Sequence, residues 1–107
     1  MRITITARHT EIDDDLRAHT RELVEKVAKL ARRPHHAQVI FTEDHGEAAV
    51  EIAVHVPRGH MYVAKAQAAD HRSALDAAIA RVKRQLLDEK ATPRPRTARR
   101  SKVPGTR

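Results

Sequence analysis

Eight histidines in 107 residues are the first candidates for chemistry. His35 and His36 follow Pro34 in a loop-like stretch, and His55 and His60 flank the segment "VPRG". A zinc or catalytic site needs ligands at set spacing: two histidines one helical turn apart with a glutamate between them, or a histidine oriented by an acid. None of the eight has such a partner, so they read as solvated or hairpin histidines, and neither a metal nor a cofactor is expected. Nucleophilic catalysis has as little to build on. Cysteine is absent, Ser73 falls in the first turn of a helix, and Ser101 lies in a basic tail. Three separated glycines cannot form a phosphate-cradling loop. The residue types therefore argue against an enzyme and against a small-molecule substrate.

What remains is the chemistry of cations. In "DHRSALDAAIARVKRQLL", residues 70–87, Leu75, Ile79, Val82 and Leu86 form one apolar stripe at helical spacing, with Ala78 at its edge. Arg81 and Arg84 fall together on a flank and the far side; Lys83 shares the other flank with Arg72 and Asp76. Cations in the last turns of a helix complement its dipole, worth about 0.3–1 kcal/mol each. Spacing alone therefore leaves two readings open, dipole complement and phosphate contact. The same two apply to Lys26, Lys29, Arg32 and Arg33 toward the end of an earlier helical segment.

The formal charge of +7 is unevenly spread. Residues 1–90 hold 15 Lys/Arg against all 14 Asp/Glu, a net of +1, whereas residues 91–107 hold six Lys/Arg and no acid. Any polyanion site on the body must come from cations segregated onto one surface, because the average field is weak. The tail "ATPRPRTARRSKVPGTR" combines Pro, Gly and Thr with like charges and should be disordered when free. Phe41 and Tyr62 are the only aromatics besides histidine, too few for the base-stacking platforms of single-strand RNA readers. The N-terminus has no apolar signal-like run, and no stretch approaches the roughly 18 apolar residues of a spanning helix. A soluble cytoplasmic protein with no membrane partner is expected.

The elements that must position these cations follow from periodicity. "RITITARH" alternates as a strand with one buried face. Asp13 is a good N-cap, Asp14 and Asp15 suit the positive end of the dipole, and Leu16, Leu23, Val27 and Leu30 recur at helical spacing. A helix is expected over about residues 14–32, ended by Pro34, with Glu22/Lys26 and Glu25/Lys29 as i,i+4 pairs. Strands follow at about 37–42 and over "AAVEIAVHV" to Val56, joined by the turn "EDHGE" with Gly46. "VPRGH" is a second turn, and "HMYVAKAQAA" a fourth strand whose buried face is ambiguous between the Ala64/Ala66/Ala68 side and the Met61/Val63 side. Asp70 then caps the last helix. The order β-α-β-β-β-α predicts a two-layer α+β domain over residues 1–90, with a four-stranded sheet, two helices on one face and a parallel first strand pair. Residues 91–107 form the tail.

The opening "ITITARHTEIDDDLRAH" and the helix "ADHRSALDAAIARVKRQL" together resemble the ribosome hibernation promoting factors, also called ribosome-associated inhibitors. The matching residues are Ile5-Thr6, Glu11-Ile12 and Leu16-Arg17 at the start, then Asp70, Ala74, Leu75, Asp76, Arg81, Val82, Arg84, Gln85 and Leu86. The resemblance covers about residues 2–90. It implies the topology of a double-stranded-RNA-binding domain that binds the small ribosomal subunit. There it sits at the decoding region and blocks mRNA and tRNA at the A and P sites in stress or stationary phase. Carried over by position, the ribosomal RNA contacts would be Arg8, Lys26, Lys29, Arg81 and Arg84. The chain departs from the family pattern at Arg72, where an aromatic is usual, and at Asp88, where a cation is usual. Asp88 sits four residues after Arg84, within pairing distance along a helix, and the tail could supply the missing charge. Long members carry a further C-terminal domain that pairs ribosomes; the 17 polar residues of the tail are too few for one, which suggests the short type.

Two other readings stay beside this one. The fold could serve as a regulatory module that binds a protein through its free sheet face, as in relatives named for sigma factor modulation. Alternatively, the tail alone could make the chain a general nucleic-acid binder.

Overall fold

The structure, a computed structural model, describes residues 1–57 and 60–91. The elements run β1 (Arg2–Ala7), α1 (Asp14–Ala28), β2 (His36–Asp44), β3 (Glu47–His55), β4 (Met61–Ala68) and α2 (His71–Ala91). The sheet order is β1-β2-β3-β4, with β1 parallel to β2 and the other neighbours antiparallel. This is the expected β-α-β-β-β-α two-layer arrangement. Beyond Ala91 the tail lies outside the described residues, as do Arg58 and Gly59 of the expected "VPRGH" turn.

Alternation decides which sheet face meets the helices. Val39 and Phe41 of β2, Val50, Ile52 and Val54 of β3, and Ala64 and Ala66 of β4 are buried on that face, with Ile3 and Ile5 of β1 packed against them. From α2 come Ala74, Leu75, Ala78, Val82 and Leu86; from α1, Val24, Val27 and Ala28. Each large aliphatic side chain among them contributes about 1.5–3 kcal/mol by leaving water. The ambiguity in β4 resolves toward the alanines. Their short side chains let α2 lie close over the strand, while Met61 and Val63 stay on the free face. The one fully buried polar residue among those described, Thr20, returns its hydroxyl proton to the Leu16 carbonyl at 2.7 Å.

Two boundaries differ from expectation. Helix α1 starts as its sequence dictates, with the Asp13 carboxylate accepting the Leu16 N–H at 2.8 Å, but it ends at Ala28 instead of near residue 32. Its last turn tightens into i→i−3 bonds, Leu30 N–H to the Val27 carbonyl and Ala31 N–H to that of Ala28, and Arg33 then turns left-handed at φ 55°. Pro34 therefore acts on a chain that has already left the helix. Strand β2 reaches His36–Asp44, beyond the expected 37–42, because β3 pairs along its whole length from His36↔His55 to Asp44↔Glu47. The hairpin between them is a two-residue turn in which His45 (φ 53°) and Gly46 (φ 83°) both have positive φ, the geometry that matches strand twist.

Candidate nucleic-acid interface

Chain direction sorts the charges. Strands β1 and β2 run the same way, so α1 between them runs back; β4 ends where α2 begins, so α2 runs back as well. The two helices are parallel, and their first turns meet in a shallow groove lined by Asp13, Asp15, Leu16, Asp70, Ser73 and Asp76. His19 and Asp76 face each other across the helix pair at 4.0 Å. The β2–β3 hairpin, with Glu43, Asp44 and Glu47, reaches the same end of the sheet. Acids thus collect at the start of α1, where Asp14 and Asp15 stand in the first turn as the dipole favours, whereas α2 contributes Asp70 before its first turn, Asp76 in its second and the cation Arg72 between them. Asp70 is fixed there by accepting the Ser73 N–H at 2.7 Å, and the Ser73 backbone and hydroxyl bonds hold its carboxyl below the usual range.

The opposite end is cationic. Lys26 stands in the last turn of α1, Lys29 is its C-cap, and Arg32 and Arg33 follow in the loop; all are exposed. Seven residues beyond His19 and beyond Asp76, and so nearly on the same helix flanks, come Lys26 and Lys83. This spacing puts them toward the seam between the helices, while Arg84 stands on the solvent side of α2, toward β4. The structure therefore gathers Lys26, Lys29 and Arg84 with Lys83 on the outer surface of the helix layer.

Arg81 and Arg8 are placed differently. Arg81 turns over the edge of the sheet and donates from Nη1 to the Lys65 carbonyl of β4. One turn on, Gln85 donates to the Val63 carbonyl at 2.8 Å. Arg81, Arg84, Lys65 and Asp88 line the groove between α2 and β4. Among the described residues no ion pair joins Arg84 to Asp88, nor Glu22 to Lys26 or Glu25 to Lys29. Arg8 follows β1 at the acidic end, its N–H bonded to the Phe41 carbonyl at 2.8 Å, a sheet length from Lys26 and Lys29.

Two cations, Lys83 on the helix layer and Lys65 at the edge of the sheet, found their neighbours only in the structure. Lys83 looked peripheral because the wheel of one helix cannot show where the next helix lies. The signal was nonetheless present in the heptad relation of Asp76 to Lys83 and of His19 to Lys26. Lys65 became a neighbour of Arg81 only once the buried face of β4 was known. Among the described residues no group of three or more His, Asp or Glu could hold a metal ion, and no helix is long and apolar enough to cross a membrane.

Comparisons with known proteins agree on the scaffold. The crystal structure of the Thermus thermophilus Protein Y N-terminal domain superposes with a TM-score of 0.69 at 26% identity, covering 80% of this chain and 96% of that one. A ribosomal subunit interface protein from Coxiella burnetii gives a TM-score of 0.69 at 25% identity, covering 86% of this chain and 100% of the other. A search of the curated proteins finds no significant match. The family model described as "Sigma 54 modulation protein / S30EA ribosomal protein" matches residues 3–93, which takes in both helices and all four strands save Arg2. The chain belongs to the sigma 54 modulation / S30EA ribosomal protein family.

Proposed function

We propose that this protein is a ribosome hibernation factor: it binds the small subunit at the decoding region and silences translation by keeping mRNA and tRNA from the A and P sites under stress or in stationary phase. The observation that carries this reading is the parallel helix pair, which sets Lys26, Lys29, Lys83 and Arg84 on one exposed surface of a chain whose family is described by a ribosomal protein. The likeness to a ribosomal subunit interface protein supports it. The body has a net charge of only +1, so this segregation is what allows a polyanion to be held. Inhibition proceeds by occupancy; no bond is made or broken, and the site of action is the cytoplasm. Cations of the helix layer contact ribosomal RNA phosphates, each adding roughly 0.7–0.9 to the salt slope of binding. Arg8 reaches a separate RNA segment from the far end, and Arg81 holds the β4 edge and exchanges its carbonyl for a phosphate only on docking. The basic segment 91–107 adds affinity of the same salt-sensitive kind.

Cosedimentation with small subunits tests the reading. The protein travels with the subunit at low salt and is released at high salt; if it stays at the top of the gradient under both conditions, the reading fails. Chemical footprinting of the bound subunit then places it, with protection expected in the decoding region.

A second reading, a protein partner on the free sheet face, is favoured by the exposure there of Met61 (51%) and Val63 (37%) and by the sigma 54 modulation in the family description. Combined Lys26→Glu and Arg84→Glu substitution abolishes subunit binding under the first reading and leaves a sheet-face complex intact under the second.

A further inference from the structure

Three basic side chains share one cross-strand row on the free face of the sheet. Arg2 of β1 pairs with His36 of β2, and His36 pairs with His55 of β3; the row ends at Met61 of β4. The His36 and His55 rings are stacked, 5.2 Å between centroids and 17° between planes. Thr4 Oγ1 lies 3.1 Å from His36 Nε2 and fixes that ring. Neighbouring strands are about 4.8 Å apart, so the row spans about 10 Å, room for one tetrahedral oxyanion with a donor on either side.

The surroundings are basic. His35 leads into β2 and donates its N–H to the His55 carbonyl at 3.0 Å, and the His60 carbonyl accepts from Val56 N–H at the start of β4. The first carboxylate on this face is Glu51, four residues along β3 and paired across with Lys65. Helices α1 and α2 lie on the other side of the sheet. Among the described residues neither His36 nor His55 makes an ion pair.

We propose that Arg2, His36 and His55 form a phosphate-binding site that is weak at neutral pH and strengthens as the histidine pair becomes charged. Partial burial of His36, then the neighbouring His55, Arg2 and His35, all disfavour its protonation and hold its pKa below the usual histidine value. Two stacked imidazolium rings beside a guanidinium repel one another, and an anion over the row removes that cost. Proton uptake and anion binding therefore promote each other by the same factor. In the charged state His36 Nε2–H donates to Thr4 Oγ1, leaving its Nδ1–H for the ligand. The phosphate group belongs either to an RNA backbone or to free inorganic phosphate. The site lies across the sheet from the helix layer and stands whether or not the ribosome reading holds.

NMR titration of the His36 and His55 ring protons in the full chain, between pH 5 and 8, tests this. It is run in chloride, in inorganic phosphate and with a short oligouridine RNA, all at matched ionic strength. Phosphate should raise both midpoints, by an amount equal to a preference for the charged pair of roughly 3- to 10-fold. A rise with inorganic phosphate alone identifies the free ion, and a rise with RNA alone identifies the backbone. Midpoints that move with neither ligand overturn the proposal. In His55→Gln the ligand-induced shift of His36 should fall to the chloride value; a full shift there also overturns it.

Discussion

Gln85 in α2 donates from Nε2 to the backbone carbonyl of Val63, 2.8 Å away on the outer edge of β4. Arg81 does the same for Lys65, and at the opposite edge of the sheet Arg17 of α1 donates from Nη1 to the Ile5 carbonyl of β1 at 3.2 Å. Both edge strands thus have outward carbonyls occupied by long side chains from the helix layer. Open strand edges template pairing with other chains, and here the helices that cover one face also guard the rims.

Combined Arg81→Ala and Gln85→Ala substitution should therefore expose the β4 edge. Loss of the Gln85 bond alone costs about 0.5–1.5 kcal/mol, read as a lower urea midpoint. Sedimentation velocity should show concentration-dependent association that the unsubstituted protein lacks at the same concentrations. An unchanged sedimentation profile would reject the guarding role.

Arg84 and Arg81 should separate in their effects. Arg84 makes no hydrogen bond or ion pair among the described residues, so Arg84→Ala should leave the urea midpoint unchanged. It should weaken small-subunit binding several-fold and lower the salt slope by about 0.7–0.9. Arg81→Ala should lower stability as well. Equal loss of stability in both variants would remove this distinction.

Acid should weaken the fold in two stages. The folded-state value of His36 is lowered from 6.5, so the unfolded chain binds more protons below that pH; stability is full above 6.5 and declines as pH falls toward the folded value. Asp70, lowered from 3.8, keeps its contribution above that value and loses it as pH falls through the folded one. His36→Gln should flatten the urea midpoint between pH 7.5 and 5 without touching the lower stage, and Asp70→Asn should do the reverse.

The β2–β3 hairpin invites a stabilising change. His45 holds φ 53° in a two-residue turn where asparagine before glycine is favoured, and its side chain is almost wholly exposed. His45→Asn should raise stability by about 0.5 kcal/mol, whereas Gly46→Ala, at φ 83°, should lower it by about 1–2 kcal/mol although a methyl there meets nothing within 4 Å. Thermal melts of the two variants should move in opposite directions.

Most of the scaffold was legible because its signals are local. Alternation at Val50, Ile52 and Val54 marked a strand, Asp13 and Asp70 marked helix starts, and the stripe Leu75, Val82, Leu86 marked the core face. The end of α1 was not legible, since the stop lies in a tightened last turn rather than at the conspicuous Pro34. The site was legible only in part. A helical wheel finds Arg84 on the solvent side, but that Arg81 crosses to a neighbouring strand and that Asp76 faces His19 of a second helix are facts of packing. The row of Arg2, His36 and His55 was hidden for the same reason: residues 34 and 19 positions apart meet only through strand register.

The parallel course of α1 and α2 has a consequence for motion before any contact is made. A body carrying almost no net charge but opposite signs at its two ends experiences a torque in the potential gradient around a large polyanion. Beside the polyanion proposed above it would rotate as it diffuses, presenting Lys26, Lys29 and Arg84 and trailing Asp13, Asp70 and the β2–β3 hairpin. Encounters would then begin in the docking orientation, and redistributing the same charges evenly along the body should slow association while leaving composition and isoelectric point unchanged.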